Sequence, residues 1–234
     1  MTLFLHGFTG APQSGDRLLG ALGNASGWEA PWLLGHGRAP NLTRSATFEE
    51  EAQYLLAHTT SRVCVGYSLG SRLALAMALL APERFDRLIL IGVSPGLKTQ
   101  DERETRKRED EVRATELERD GLVAFIDAWQ ALPLFDEDTL PADVRAERRA
   151  IRLAHRATGL AAALRILGLG QMPSYTEQLQ GLRNTHIVVG ERDTKFRSIA
   201  GDIAARSDAK VHVVPNAGHD ALLWAPSLIA RIAA

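Results

Sequence analysis

Residues 62 to 81 read Arg62-Val63-Cys64-Val65-Gly66-Tyr67-Ser68-Leu69-Gly70-Ser71-Arg72, then Leu73-Ala74-Leu75-Ala76-Met77-Ala78-Leu79-Leu80-Ala81. Within one turn the apolar period passes from that of a short buried strand to that of a helix. The change falls on Gly66-Tyr67-Ser68-Leu69-Gly70, a G-x-S-x-G pentapeptide. In this motif the serine occupies a strained strand-to-helix turn, and small residues two positions to either side let the backbones pass closely. Ser68 is therefore expected to stand exposed above the end of a sheet. The free N–H groups of the following helix would face any negative charge that develops beside it. The pentapeptide alone is compatible with a plain strand-turn-helix junction; the strand before it, the helix after it and the residues found downstream favour chemistry.

Working outward, the totals bound the answer. A chain of 234 residues with 45% apolar and 24% charged composition has the make-up of a globular protein with one large core, read as a single α/β domain with an insertion. A net charge of −1 provides no broad basic field, so no nucleic-acid partner is expected. The basic residues are nearly all arginine, with Lys98, Lys107, Lys195 and Lys210 the only lysines. Cys64, the single cysteine, lies in the apolar strand and reads as a small buried hydrophobe. The sequence enters Thr2-Leu3-Phe4-Leu5 directly, without the marks of a secretory leader, and its longest apolar runs are too short for a membrane span. The expectation is a cytoplasmic monomer or small homo-oligomer that acts on a small molecule without a membrane partner.

Taken in order, residues 2–5 form a strand that runs into His6-Gly7-Phe8-Thr9-Gly10, and an amphipathic helix covers 14–22. A second strand is expected over 28–34 despite Pro31, followed by the flexible turn Gly35-His36-Gly37. Thr47 caps a helix over 48–58. After the elbow helix, residues 87–93 are continuously apolar, as befits a central parallel strand. The pattern then breaks. Residues 98–120 are mostly charged, 121–132 carry aromatics, and 143–167 read as a further helical stretch rich in Arg and Ala. Strand patterning returns at 186–190 and 211–214, with helices near 195–206 and 226–232. The domain reading is a core of residues 1–97 and 176–234 with a helical cap, 98–175, inserted between two strands.

Alternating strands and helices imply a parallel sheet whose functional residues gather at the carboxyl ends of strands. Ser68 obeys that rule, as do Asp193, just past the strand ending at Gly190, and His219, just past the strand ending at Val214. Serine needs an imidazole to take its proton and a carboxylate to hold the imidazole's tautomer, so the candidate catalytic residues are Ser68, His219 and Asp193, in the chain order used by nucleophile-elbow folds. Read singly, His219 is an ordinary turn histidine and Asp193 a solvated loop acid; their joint placement argues otherwise. An oxyanion hole would use the backbone N–H groups of Leu69 and Phe8. His6 and His36 adjoin the expected site, whereas His58, His155, His186 and His212 read as structural or exposed. No His or Cys pair has metal-ligand spacing, and neither a metal nor a cofactor is expected.

Eleven arginines lie between residues 98 and 165. Most read as helix-surface charges paired at i, i+4, such as Glu102 with Arg106 and Glu104 with Arg108. Arg103 and Arg148 are expected to be solvated. Arg72, one turn along the elbow helix from Ser68, points to a substrate carboxylate or phosphate.

Three segments together resemble one family: Leu5-His6-Gly7-Phe8-Thr9-Gly10; Gly66-Tyr67-Ser68-Leu69-Gly70-Ser71-Arg72; and Val189-Gly190-Glu191-Arg192-Asp193-Thr194-Lys195-Phe196 with Ala217-Gly218-His219. They look like the synthases of 2-succinyl-6-hydroxy-2,4-cyclohexadiene-1-carboxylate in menaquinone biosynthesis, which have the α/β-hydrolase fold. The resemblance continues through Ser94-Pro95-Gly96-Leu97, Phe125-Ile126-Asp127-Ala128-Trp129 and Leu132-Pro133-Leu134-Phe135, and covers nearly the whole chain. It implies a mostly parallel sheet flanked by helices, with the cap between two strands. It also implies a lyase that eliminates pyruvate from a substrate with several carboxylates, its serine acting as a base. By motif position it makes Arg72, Arg106, Arg152, Tyr67 and Trp129 substrate-binding residues. The alternatives are a serine hydrolase of a small ester or carbon–carbon bond, and a non-catalytic ligand-sensing relative. The chain departs from the family pattern at Ser71 and Gly35, where Gly and Pro are usual. At Asp220-Ala221-Leu222-Leu223-Trp224 a more apolar stretch replaces one rich in His and Glu, and the first strand corresponds to the fold's third.

Overall fold

The computed structural model describes residues 1–23, 27–39, 42–135 and 140–234. Among the described residues six strands form one sheet: β1 (Thr2–Leu5), β2 (Trp28–Glu29), β3 (Val63–Tyr67), β4 (Arg87–Ile91), β5 (Thr185–Gly190) and β6 (Lys210–Val214). Their spatial order is β2-β1-β3-β4-β5-β6, and every pairing is parallel. Alternation along the strands divides the core into two layers, because successive side chains point to opposite faces. Leu3, Leu5, Leu88, Leu90 and Ile187 pack on one face with α2 (Phe48–Ala57), α3 (Leu69–Leu80) and α7 (Thr194–Ala204). Phe4, Val65, Ile89, Ile91 and Val188 pack on the other with Leu18 of α1 (Asp16–Ala21) and with Ile229 and Ile232 of α8 (Pro226–Ala233).

Several elements differ from the sequence reading, each for a local reason. The strand expected over 28–34 pairs with β1 only at Trp28 and Glu29. Pro31 has no N–H, and side chains take the next amides: Leu33 N–H donates to His6 Nε2 at 3.3 Å, and Leu34 N–H to Glu51 Oε1 at 3.0 Å. Glu51 is fully buried and also binds Arg44 and Ser45, so one carboxylate organises the loop beyond β2. The expected helix over 14–22 begins as a 3-10 turn at Pro12–Gly15 before α1.

Between β4 and β5 the chain forms α4 (Gln100–Gln130), α5 (Ala142–Arg152) and α6 (Ala157–Leu167). Thr99 and Glu102 start α4 with a reciprocal capping box. Gly121, at φ 87°, breaks the helix at the boundary between its charged and aromatic halves. The stretch expected to be one helix over 143–167 is two, because residues 153–156 turn and carry His155 into the interior. Ala114 and Leu117 of α4 meet Leu160, Ala161 and Leu164 of α6 in a separate apolar cluster. Among the described residues no helix is long and apolar enough to cross a membrane.

Candidate active site

Ser68 joins β3 to α3 with φ 52° and ψ −107°, a conformation that L-residues adopt only where neighbouring structure imposes it. Its N–H donates to Ile91 O at 2.8 Å, and its carbonyl accepts from Ser71 Oγ at 2.7 Å and Arg72 N at 3.1 Å. Ser71, at a position where the resembled family usually has glycine, thus braces the elbow from inside. The flanking glycines are sterically required. A Cβ on Gly66 would lie 2.5 Å from Gly70 O, and one on Gly70 would lie 2.0 Å from Leu5 O.

The structure brings Ser68, His219 and Asp193 together from the carboxyl ends of β3, β6 and β5. His219 Nε2 lies 3.2 Å from Ser68 Oγ, and Nδ1 lies 2.7 Å from Asp193 Oδ2. A carboxylate only accepts, so Nδ1 carries the imidazole proton and Nε2 is the acceptor for the serine hydroxyl. Asp193 Oδ1 also accepts from Phe196 N–H at 3.2 Å, which caps α7 and fixes the carboxylate's rotation. Both His219 and Asp193 are buried. Gly92, at φ 61°, makes room for the imidazole, since a Cβ there would lie 2.6 Å from His219 Cε1.

Phe8 and Leu69 line the same cavity as Ser68, and among the described residues neither amide donates to a protein acceptor. Both N–H groups are thus available to an oxyanion. The cavity measures about 220 Å³, and its wall combines core residues with residues of α4, α5 and α6. Arg72, Arg106, Arg152, Tyr67 and Trp129 all line it.

The cationic side of the wall is built from unlike supports. Arg72 donates to Leu167 O at 3.0 Å, and burial, reinforced by the neighbouring Arg106, pushes its pKa down to about 9 despite Asp110. It remains a cation at neutral pH. Arg106 donates to Asp110 Oδ1 at 2.8 Å rather than pairing with Glu102, whose carboxylate is occupied by the α4 cap. Nor do Glu104 and Arg108 pair: Glu104 accepts from Gln100 and Lys107, and Arg108 donates to Thr105. Arg152 is buried, with its guanidinium 5.1 Å from the centre of the Phe135 ring. Trp129 packs among Phe8, Phe125 and Phe135. Trp129 Nε1 and Tyr67 Oη are buried without a hydrogen-bond partner among the described residues, so each can donate to a bound molecule. Burial, with Asp220 nearby, holds the Tyr67 phenol well above its ordinary pKa, which keeps that donor protonated.

Arg148 was expected to be solvated; the structure overturns this. Its side chain is only 12% exposed, lines the cavity and donates to Asp220 Oδ2 at 2.6 Å. Lys195 also reaches the cavity, and Leu222 and Leu223 supply the apolar rim anticipated from 221–224. By contrast Arg165 stays on the surface, bound to Glu111 and Glu118. Gly92, Arg148 and Lys195 are the site residues that sequence reasoning did not assign. Gly92 alone carried a signal, as the glycine at the end of the β4 run. Among the described residues no group of three His, Cys, Asp or Glu is placed to hold a metal ion.

An elbow serine bonded to a histidine–carboxylate pair at the edge of a parallel sheet defines a class, and comparison with known proteins agrees with it. The chain belongs to the alpha/beta hydrolase family, whose model matches residues 2–232. The 2-succinyl-6-hydroxy-2,4-cyclohexadiene-1-carboxylate synthase of Enterobacter sp. (strain 638) is 33% identical over 97% of this chain and 88% of its own length. A Bacillus subtilis (strain 168) protein named provisionally for the same activity is 34% identical over 97% of this chain and 86% of its own. Identity of that order over that span places the chain in the family of these synthases. Among solved structures, MenH from S. aureus superimposes with a TM-score of 0.91 at 28% identity, over 99% of this chain and 90% of that one.

Proposed function

We propose that this protein is a carbon–oxygen lyase that eliminates pyruvate from 2-succinyl-5-enolpyruvyl-6-hydroxy-3-cyclohexene-1-carboxylate, giving 2-succinyl-6-hydroxy-2,4-cyclohexadiene-1-carboxylate. One observation carries the reading. One cavity is lined by Ser68 and His219 and also by Arg72, Arg106 and Arg152. Several guanidinium groups around one cavity favour a ligand with several carboxylates, bound by charge-assisted and often bidentate bonds. In this reading residues 1–97 and 176–234 are the catalytic core, and 98–175 are the cap that supplies Arg106, Arg148 and Arg152 to the cavity wall.

The roles follow from the distances. His219 takes the Ser68 proton, and the serine oxygen removes the proton on ring carbon 2, next to the succinyl carbonyl, so that a 2,3 double bond forms as the 3,4 double bond shifts to 4,5. The carbon–oxygen bond breaks, a ring double bond forms, and the enolpyruvate leaves and is protonated to pyruvate. Negative charge that builds on the substrate during proton removal is held by the Phe8 and Leu69 N–H groups. Asp193 keeps the His219 proton on Nδ1 and offsets the imidazolium charge.

A second reading, ester hydrolysis with Ser68 as nucleophile, is supported by the 3.2 Å approach of His219 Nε2 to Ser68 Oγ and by the apolar Leu222 and Leu223. A thermophilic esterase from Thermogutta terrifontis is also similar, at 26% identity and a TM-score of 0.76, over 98% of this chain and 86% of that one. Trapping separates the two. The lyase exchanges or removes the ring proton without a covalent adduct, whereas the hydrolase gives a burst of leaving group and an acyl mass on Ser68.

A further inference from the structure

Three histidines outside the Ser68 site hold one short stretch of backbone. His6 Nδ1 lies 2.9 Å from Gly7 O, and its Nε2 accepts from Leu33 N–H. His36 Nε2 accepts the Thr9 N–H at 3.3 Å, and its Nδ1 lies 3.0 Å from Leu34 O. His155 Nδ1 accepts the Gly37 N–H at 2.9 Å, and its Nε2 lies 3.0 Å from Thr9 O. In each ring the nitrogen that faces an amide must be unprotonated, so the other carries the hydrogen and donates to a carbonyl. His6 and His36 are thus Nδ1–H tautomers and His155 is the Nε2–H tautomer. The rings pack edge to face, with centroids 4.8 Å apart for His6 and His36 and 5.4 Å apart for His36 and His155.

The bonded groups belong to three successive peptide units. His6 fixes the carbonyl of the unit between residues 7 and 8, which also accepts from Gly10 N–H at 2.9 Å. His36 fixes the amide of the next unit and His155 the carbonyl of the third. A trans peptide is planar, with its C=O and N–H pointing in opposite directions. Holding Gly7 O on one side therefore turns Phe8 N–H to the other, and the Thr9 bonds stop the loop from rotating back. Thr9 needs that restraint, because it sits at φ 62°. His6 and His36 come from the core loops, whereas His155 comes from the turn between α5 and α6.

We infer that His155 is a positioning residue: through its Nε2–H bond to Thr9 O, the helical segment between β4 and β5 sets the oxyanion loop, so that Phe8 N–H is aimed only when that segment is seated. The inference rests on the reading of Phe8 N–H as an oxyanion donor, and it holds whichever substrate the oxyanion forms on.

Two amide substitutions divide the two bonds of this ring. His155→Gln places an N–H where Nε2 lies and keeps the bond to Thr9 O. His155→Asn keeps an acceptor near Gly37 N–H and loses the Thr9 bond. Each variant is compared with wild type on the enolpyruvyl substrate and on p-nitrophenyl acetate, so that loss of the lyase reading alone leaves the ester comparison intact. The expected result is a kcat at least tenfold lower for His155→Asn with KM nearly unchanged, and a kcat within about threefold of wild type for His155→Gln. Equal losses in the two variants, or none in His155→Asn, overturn the inference. The nitrogen spectrum of the imidazoles reads the same point without turnover. Wild type should carry the His155 proton on Nε2, and the Phe8 amide resonance should move in His155→Asn but not in His155→Gln. A His155 proton on Nδ1, or a Phe8 resonance indifferent to both variants, is the contrary outcome.

Discussion

The two walls of the cavity are made by different means. On the sheet side, Ser68, Asp193 and His219 follow strand ends, and their positions are set by backbone: the 2.8 Å bond from Ser68 N–H to Ile91 O, the close approach at Gly70, and the room left by Gly92. On the helical side, Arg106 and Arg152 are set by side chains, through Asp110 and the Phe135 ring. Backbone geometry tolerates little error and depends on a few glycines. Side-chain geometry is adjustable, and it is where family members can differ in substrate.

The largest effect should come from breaking the sheet side. Ser68→Ala is expected to lower kcat by roughly 10³- to 10⁴-fold while leaving substrate binding largely intact, as read by steady-state kinetics alongside a binding titration. Gly92→Ala tests the same wall through the backbone. It combines an unfavourable φ with a Cβ 2.6 Å from His219 Cε1, and should lower kcat about a hundredfold with KM little changed. Wild-type kcat in Gly92→Ala would show that the imidazole position is not set by that glycine.

The helical side should show its role in kcat/KM. Removing a guanidinium that holds a substrate carboxylate in this cavity costs about 2–5 kcal/mol, or about 30- to several-thousand-fold, for Arg106→Ala and for Arg152→Ala. Arg165→Ala is the comparison, because that side chain is 34% exposed and spans Glu111 and Glu118 away from the cavity. Its effect should stay within about 1 kcal/mol on stability, and within about threefold on rate. Equal kinetics for all three variants would remove the multi-carboxylate substrate while leaving Ser68 essential.

The seam between the walls predicts a smaller, pH-dependent effect. Burial lowers the pKa of His6 to about 3, depresses that of His36 strongly, and lowers that of His155. Each stays neutral in the fold and protonates near pH 6.5 once unfolded. The unfolded chain therefore binds more protons below that pH. Stability is complete above about pH 6.5 and falls as pH drops below it, by up to about 1.4 kcal/mol per pH unit for His6 down to about pH 3, with His36 and His155 acting in the same direction. Urea midpoints between pH 7 and 5, above the carboxylate range, should decline accordingly and decline less in His155→Gln. A flat midpoint over that interval would mean that these rings are not held neutral.

The sheet side was legible in the sequence because its constraints are local and periodic. Short apolar runs, the paired glycines around Ser68, and the distances from strand ends to Asp193 and His219 are all written along the chain. The helical side was legible only as a class of structure. Of the eleven arginines in helical stretches only Arg106, Arg108 and Arg113 have an acidic residue four positions away, and Arg106 has one on each side, so spacing alone did not show that Arg106 turns to Asp110 or that Arg148 turns inward to Asp220. The resemblance to a family singled out Arg106 and Arg152; periodicity did not. The short β2 and the divided α5–α6 stretch trace to buried side chains that claim backbone groups: His6 and Glu51 in the first case, His155 in the second. Such long-range bonds leave no mark in local sequence.

The most direct measurement is pyruvate release by the purified, folded protein from the enolpyruvyl precursor. The account predicts saturable release, one pyruvate for each 2-succinyl-6-hydroxy-2,4-cyclohexadiene-1-carboxylate formed, lost in Ser68→Ala and with no acyl mass on Ser68. A folded protein that acylates Ser68 from an activated ester but frees no pyruvate at saturating precursor would contradict it.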